Sequence, residues 1–239
     1  MARKSKDIFQ FKEFSIRHDR CAHKVGTDGV LLGAWVDVDN TKRILDVGTG
    51  SGVIALMLAQ RTPPDTHIDA IDISSADCEQ AQENVGNSPW PEKVSIKNTS
   101  FQELDAEPYD LIISNPPYFI HSAKPSVEGR VRARHAEESL PPQELLRHTK
   151  RLLDPKGKLC LILPVTEAQS FIAQSQLSGM HCTRLCDFRS RSGKPVERLL
   201  IQLHLHSFET QKEELVLYDY EEVWTTDYKN LTRDFYLNR

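Results

Sequence analysis

The chain of 239 residues predicts an α/β fold, in which helices cover both faces of a mostly parallel β-sheet. Three observations predict this class. Short apolar runs alternate with amphipathic segments, a glycine-rich turn follows the first apolar run of the core, and polar residues follow two later runs. The length suits one large domain with its own hydrophobic core.

The predicted core, residues 41–205, is an alternation of strands and helices separated by turn residues. Strands are predicted at 43–47, 67–71, 93–97, 110–114, 158–163, 181–188 and 197–204. Helices are predicted at 51–60, 74–85 with Ser74 or Ser75 as the cap, 141–153 and 167–177. The last two strands have no helix between them, so we expect an antiparallel hairpin at one edge of the sheet.

Two segments flank this core within the same domain. Residues 1–40 contain Gly26-Thr27-Asp28-Gly29 followed by Val30-Leu31-Leu32, which predicts a helix that closes over a site. Residues 206–239 are acid-rich but also aromatic. Because aromatic side chains are depleted in disordered segments, we expect this part to be an appendage packed on the core.

Composition and charge exclude several classes of protein. The net charge is −4 and the mean hydropathy is −0.47. No apolar run approaches the roughly 20 residues that a membrane span needs, and the basic N-terminus is not followed by the apolar segment of a secretion signal. Five cysteines include no C-x-x-C pair, which argues against a disulfide framework and a zinc site. We therefore expect a cytoplasmic protein with no resident metal.

The glycine-rich turn Asp46-Val47-Gly48-Thr49-Gly50-Ser51-Gly52 predicts a nucleotide-type site. Its spacing is G-x-G-x-G rather than the dinucleotide pattern G-x-G-x-x-G. The Asp46 carboxylate disfavours a pyrophosphate and favours a ligand with cationic character, such as S-adenosylmethionine. Asp72, at the end of the next strand, is placed to accept both ribose hydroxyls. A purely structural turn and a different nucleotide remain the alternatives.

The sequence Asn115-Pro116-Pro117-Tyr118 follows the apolar run 111–113, where an open α/β sheet carries its chemistry. A planar nitrogen conjugated to a π system is a poor nucleophile. Two acceptors on its N–H bonds, the Asn115 side-chain oxygen and the Pro116 carbonyl, would aim its lone pair at a methyl donor. The prolines stiffen the loop, and Tyr118 offers a stacking face. The alternative is a rigid turn whose tyrosine packs in the core.

These motifs resemble those of the class I S-adenosylmethionine-dependent methyltransferases that methylate amino groups. Residues 11–14, 19–22, 24–35 and 231–237 are similar to segments of the bacterial tRNA1(Val) adenine N6-methyltransferase family. The resemblance implies a Rossmann-like, seven-stranded sheet whose last two strands form the terminal hairpin. It also implies methylation of adenine 37, next to the anticodon, cofactor contacts at Asp46, Gly48 and Asp72, and binding of the substrate nitrogen at 115–118.

Four further residues are candidates for the cofactor pocket. After the third strand such enzymes often carry an acidic residue, whereas this chain has Asn98-Thr99-Ser100-Phe101, so we predict a hydrogen bond from Ser100 and a ring contact from Phe101. Lys24 and Thr27 are predicted to line the pocket from the N-terminal side. Capping of the helix by Thr27 or Asp28 is the alternative.

Basic residues cluster in two places that we predict to contact RNA phosphates. The first cluster follows the Asn-Pro-Pro-Tyr motif and contains Lys124, Arg130, Arg132 and Arg134. The second contains Arg189, Arg191 and Lys194, flanked by Arg184 and Arg198. With the basic N-terminus they would form a rim that positions the anticodon loop of a tRNA. Ordinary solvated loops are the alternative reading of each cluster.

The predicted function is therefore S-adenosylmethionine-dependent N6-methylation of adenine in tRNA by a monomer or weak dimer. N5-methylation of a release-factor glutamine remains open, because a carboxamide nitrogen poses the same electronic problem. Guanine N2 and DNA adenine N6 remain open for the same reason. A nicotinamide dehydrogenase would need a pyrophosphate beside Asp46. A tRNA-binding module without catalysis is the alternative from a different class.

Overall fold

A computed structural model describes residues 7–21, 24–117 and 140–237. Within these ranges the strands are β1 Ile8–Gln10, β2 Ser15–Arg17, β3 Arg43–Val47, β4 His67–Asp72, β5 Val94–Asn98, β6 Tyr109–Ser114, β7 Leu153–Pro164, β8 His181–Arg191, β9 Arg198–His204 and β10 Gln211–Tyr218. The helices are α1 Thr27–Trp35, α2 Val53–Arg61, α3 Ser75–Gly86, α4 Pro142–Leu152, α5 Val165–Leu177 and α6 Thr226–Thr232.

The main sheet has eight strands in the order β10-β8-β9-β7-β6-β3-β4-β5. β9 runs antiparallel to both of its neighbours, and the other pairs are parallel. The predicted α/β class and all seven predicted strands are therefore confirmed. Because β3, β4 and β6 are parallel neighbours, their carboxyl ends meet at one edge of the sheet.

Alternate residues of the central strands point into two hydrophobic layers. Ile44 and Leu111 belong to the layer that includes buried residues of α1 and α2, whereas Leu45 and Ile112 belong to the layer under α4 and α5. All four are fully buried. Burial on both faces explains why these strands read as continuous apolar runs, and it confirms the prediction of helices on both faces.

The C-terminal part of the chain adds a strand that the sequence did not predict. The expectation of seven strands is wrong by one, because β10 pairs in parallel with β8, and the β8–β9 hairpin consequently does not form the edge of the sheet. Arg184 on β8 is 2.7 Å from Glu213 on β10, and Arg189 is 3.0 Å from Glu214. The acid-rich strand thus binds beside a basic one.

The two ends of the chain pack against each other. β1 and β2 form a separate antiparallel pair that was not predicted, and Phe11, which follows β1, forms a bridge with Tyr236. The backbone N–H of Lys12 donates to the carbonyl of Phe235 over 2.8 Å. Phe11, Tyr228 and Phe235 are buried, so part of the C-terminal segment packs into the hydrophobic core, whereas Phe208 and Tyr220 are exposed.

Two of the differences between the predicted boundaries and the structure have a local cause. α2 begins at Val53 rather than residue 51, because Gly52 precedes it in the left-handed conformation with φ of +79°. β7 already begins at Leu153, so residues 154–157, expected as a turn, lie within the strand opposite a register shift in β6. The predicted cap of α3 is confirmed: the Ser74 hydroxyl accepts from the Asp77 N–H over 3.2 Å.

Among the helices that the structure describes, none combines the length and the apolar composition needed to cross a bilayer.

Gly157 is expected to be intolerant of a side chain. A Cβ atom there would lie 2.7 Å from the Tyr109 carbonyl oxygen, which is backbone and cannot move aside without disturbing β6. Gly157→Ala should lower the free energy of unfolding by about 2 kcal/mol in denaturant titration. Gly86→Ala is the matched control, since nothing lies within 4 Å of its Cβ position. Equal stability of the two variants would contradict the tight approach of β7 to β6.

Candidate active site

Three side chains predicted to act together follow or end the neighbouring strands β3, β4 and β6. Asp46 precedes the last residue of β3, Asp72 is the last residue of β4, and Asn115 directly follows β6. The hydroxyl of Ser114 donates to the Val47 carbonyl over 2.7 Å, which ties the end of β6 to the end of β3. The sheet therefore brings these three predicted site residues to one edge.

The glycine turn after β3 has a backbone that side chains would not tolerate. Gly48, Gly50 and Gly52 have φ values of +73°, +54° and +79°. Cβ atoms built at Gly48 and Gly50 would meet no atom of the described residues within 4 Å, so these residues leave space open beside this part of the turn. A Cβ at Gly52 would lie 3.4 Å from the Cβ of Ala81 on α3. The first two glycines thus face a space for a ligand, and the third permits close helix packing.

Asp46 is a buried carboxylate with one oxygen unused. Its side chain is 0% exposed, and its Oδ2 accepts from the Thr49 hydroxyl over 2.7 Å. Its Oδ1 has no hydrogen-bond partner among the described residues. Burial raises the pKa of Asp46 to about 7. A cationic group bound beside Oδ1 would relieve this cost, as the sequence argument anticipated.

Asp72 is held in a fixed orientation by backbone donors. Its Oδ2 accepts from the Gly50 N–H and its Oδ1 accepts from the Ser74 N–H, both over 2.9 Å. Burial raises the pKa of this carboxyl as well. Each oxygen keeps a lone pair, so the carboxylate can accept from a vicinal pair of hydroxyls. Ile73, which the sequence argument did not single out, is 53% exposed beside it and offers an apolar face.

The two residues predicted to contact an adenine ring lie in different environments. The Ser100 hydroxyl donates to the Glu103 carboxylate over 2.8 Å and accepts from the Glu103 N–H over 3.3 Å. Phe101 is buried in the layer under α4, with its ring centroid 5.8 Å from that of His148. The Ser100 proton is thus already engaged, and the roles of Ser100 and Phe101 toward a cofactor stay predictions.

The start of α1 lies beside the site but is not capped as the alternative reading proposed. Gly26, not Thr27 or Asp28, is the N-cap residue, and no side chain caps it. Asp28 instead pairs with Arg198 at 2.9 Å. Lys24 lies 3.9 Å from Asp7. Pocket-lining roles for Lys24 and Thr27 remain predictions.

Asn115 lies against the backbone of α1. A Cβ atom at Gly29 would be 3.9 Å from Asn115 Nδ2 and 3.5 Å from the side chain of Val53. Asn115 is half-buried, Pro116 is buried and Pro117 is exposed. Tyr118 lies outside the described residues. The predicted helix of the N-terminal segment therefore lies beside the predicted catalytic amide.

The second basic cluster is largely neutralised by the C-terminal part of the chain. Arg189 pairs with Glu214 and also donates to the Lys194 carbonyl over 3.0 Å, and Arg191 pairs with Glu222 at 2.8 Å. β8 is parallel to β7 and β6, so these arginines lie at the same sheet edge as Asn115. Residues Lys124, Arg130, Arg132 and Arg134 of the first cluster lie outside the described residues.

The residues present fit S-adenosylmethionine. The buried Asp46 carboxylate favours a cationic group such as the ammonium, the space that the described residues leave open at Gly48 and Gly50 admits the ligand to the backbone, and Asp72 suits the ribose hydroxyls. These residues include no cation that could pair with a pyrophosphate, and the Asp46 carboxylate lies beside the turn. The site therefore fits a cationic nucleoside without phosphates.

Fold and site together define a Rossmann-like methyltransferase. The methyltransferase small domain family matches residues 21–173, and the chain belongs to this family. Enzymes named tRNA1(Val) (adenine(37)-N6)-methyltransferase from Aeromonas hydrophila and Tolumonas auensis are each 42% identical over 229 residues, which cover 96% of this chain and 97% and 96% of theirs. The enzyme of that name from Trichodesmium erythraeum is 42% identical over 233 residues, 96% of this chain and 97% of its own.

Solved structures support the fold alone. A predicted O-methyltransferase from Agrobacterium tumefaciens superposes with a TM-score of 0.67 at 18% identity, over 87% of this chain and 96% of that one. A putative RNA methyltransferase from Pyrococcus horikoshii gives 0.52 at 14% identity, over 73% and 80% of the two chains. At such identities the similarity places the sheet and its helices and says nothing of the substrate.

Binding of S-adenosylhomocysteine is expected to release protons at pH 6. With a pKa of about 7, Asp46 is mostly protonated in the free protein, and an ammonium group beside it favours the carboxylate. Calorimetry in buffers of different ionisation enthalpy measures the release, which should fade by pH 8. Asp46→Asn should lose most of it. If the binding enthalpy at pH 6 does not depend on the buffer, Asp46 does not bind the ammonium group of the cofactor.

Proposed function

We propose that this protein transfers the methyl group of S-adenosylmethionine to N6 of an adenine in tRNA, at position 37 of tRNA1(Val). The observation that carries the proposal is similarity at 42% identity, over 96% of the chain, to several enzymes that bear this one name. The site supports it independently, because a cationic nucleoside pocket adjoins an asparagine and two prolines at the end of β6.

S-adenosylmethionine supplies an electrophilic methyl group on a sulfonium. The chain has to hold that donor in one orientation. Asp72 fixes the ribose because its own oxygens are oriented by Gly50 and Ser74, and Asp46 binds the cationic end. The two carboxylates come from adjacent strands whose ends are joined by hydrogen bonds, so the donor is bound to a rigid frame.

Asn115 and Pro116 activate the adenine amine that receives the methyl group. The exocyclic amine of adenine has its lone pair delocalised into the ring, so it attacks poorly. The Asn115 oxygen and the Pro116 carbonyl accept hydrogen bonds from the two N–H groups of the amine, which favours a pyramidal nitrogen. They also stabilise the positive charge that develops on this nitrogen as the N–C bond forms and the C–S bond breaks. The methylated nitrogen then releases one of its protons to water. Tyr118 supplies the stacking face for the base.

We place the tRNA over the carboxyl edge of the sheet. The anticodon loop is single-stranded, so one base can leave its stack at modest cost and enter the pocket. The residues Lys124 to Arg134, which directly follow the Asn-Pro-Pro-Tyr motif, are the phosphate contacts that this position favours. Action on tRNA agrees with a cytoplasmic location.

The function is tested with labelled S-adenosylmethionine and total tRNA from a strain that lacks this gene. We expect label in one tRNA and N6-methyladenosine as the product in nucleoside mass spectrometry. Transfer to a glutamine of a release factor, to guanine N2 or to DNA would each replace the proposal with a different acceptor. Binding of tRNA without transfer would indicate a non-catalytic module.

Asn115→Ala is expected to lower kcat by about a hundredfold or more, because it removes an acceptor needed only in the transition state. The Kd for S-adenosylhomocysteine should stay nearly unchanged. Asp72→Ala is the comparison variant and should give the opposite split, with weaker cofactor binding before any effect on kcat. Single-turnover kinetics and calorimetry measure the two quantities. Near-normal turnover of Asn115→Ala would exclude the role assigned to its amide.

A further inference from the structure

α3 carries buried polar residues on the face that meets the N-terminal segment. Gln80 and Asn84 are 0% and 3% exposed, although the helix reads as a polar surface helix in the sequence. The Gln80 oxygen accepts from the Arg20 N–H over 3.4 Å, and Asn84 is bonded to Arg17. Burying polar groups costs free energy unless each finds a partner; the hydrogen bonds of Asn84 and of the Gln80 oxygen supply partners here, whereas Gln80 Nε2 has none among the described residues.

Asn84 connects two separate parts of the chain. Its Oδ1 accepts from the Arg17 N–H over 2.9 Å, and its Nδ2 donates to the Arg17 carbonyl over 2.8 Å. The same Nδ2 donates to the carbonyl of Ser51, in the glycine turn, over 2.8 Å. One side chain therefore holds the end of β2 and the cofactor turn together, and all three of its hydrogen bonds go to backbone.

The segment that follows Arg17 leads directly to the substrate side of the site. His18 is buried, and its Nδ1 accepts from the Val25 N–H over 3.2 Å, which closes the loop before α1. α1 begins at Thr27, and Gly29 lies beside the Asn115 amide. The N-terminal segment is thus bonded to the glycine turn through Asn84 and to the residues before α1 through His18.

We propose that Asn84 is a positioning residue that holds the N-terminal segment in a fixed position relative to the glycine turn. In this way the cofactor site and the part of α1 beside Asn115 form together. It touches neither cofactor nor substrate in this role and acts through the backbone of Ser51 and Arg17. The inference rests on the proposed use of S-adenosylmethionine, but its primary readout requires no tRNA.

Asn84→Ala is expected to raise the Kd for S-adenosylhomocysteine about tenfold, since hydrogen bonds that fix the turn are lost, and to lower kcat at saturating cofactor. Asn87→Ala is the matched control: Asn87 is the C-cap residue directly after α3, is exposed, and among the described residues its side chain donates only to the Glu83 carbonyl. The control should bind within twofold of the wild type. A purely structural role would lower Tm while leaving Kd and kcat unchanged well below Tm.

Hydrogen exchange of the wild-type protein keeps the proposal testable if Asn84→Ala does not fold. Adding S-adenosylhomocysteine should slow exchange of the Arg17 amide, which donates to Asn84, together with the amides of residues 48–52. Protection confined to residues 48–52 and 72–74 would overturn the coupling, as would an unchanged Kd in a folded Asn84→Ala variant. Failure of the wild type to bind S-adenosylhomocysteine would instead refute the proposed function.

Discussion

The hydrogen bonds between the turn after β3 and the end of β4 fix the geometry on which the site depends. The N–H groups of Gly48 and Thr49 both donate to the Ile71 carbonyl, over 2.9 and 3.0 Å, and the Gly50 N–H donates to Asp72. The chain can reverse this tightly only because its glycines adopt positive φ. As a result the carboxylates of Asp46 and Asp72 cannot move independently, and the pocket is preorganised by backbone.

That rigidity has an electrostatic cost. Burial raises the pKa of Asp46 and the neighbouring Asp72 charge raises it further to a smaller extent, while the Thr49 hydroxyl and the Ala55 backbone N–H lower it. Because the pKa of Asp46 is raised in the folded state, the ligand-free fold loses stability as the pH rises from the ordinary value of 3.8 to about 7, and the loss is complete above that. A bound cationic nucleoside offsets this electrostatic cost. The same buried carboxylates that destabilise the ligand-free protein therefore favour binding of a cationic ligand.

The sequence predicts the parts of the site that depend on local pattern. The positions of Asp46, Asp72 and Asn115 at one edge of the sheet were predictable because each lies at or directly after the end of a short apolar run, and runs buried on both faces are readable without tertiary knowledge. β10 was not, because charged residues precede its few apolar ones and its position depends on arginines of a distant strand. Asn84 is a polar residue of a largely polar helix, so its burial under the N-terminal segment could not be predicted from the helix alone. Long-range pairing decides both cases.

The pairing of β8 with β10 also changes where RNA is expected to bind. Arg189 and Arg191 were candidate phosphate contacts, but a phosphate would have to displace Glu214 and Glu222 from them, and the repulsion from those displaced carboxylates would remain. Exposed ion pairs are weak, so displacement is feasible, yet it yields little net attraction. The proposed binding of tRNA therefore depends more on the basic residues that follow the Asn-Pro-Pro-Tyr motif, and on the basic N-terminus, than on Arg189 and Arg191.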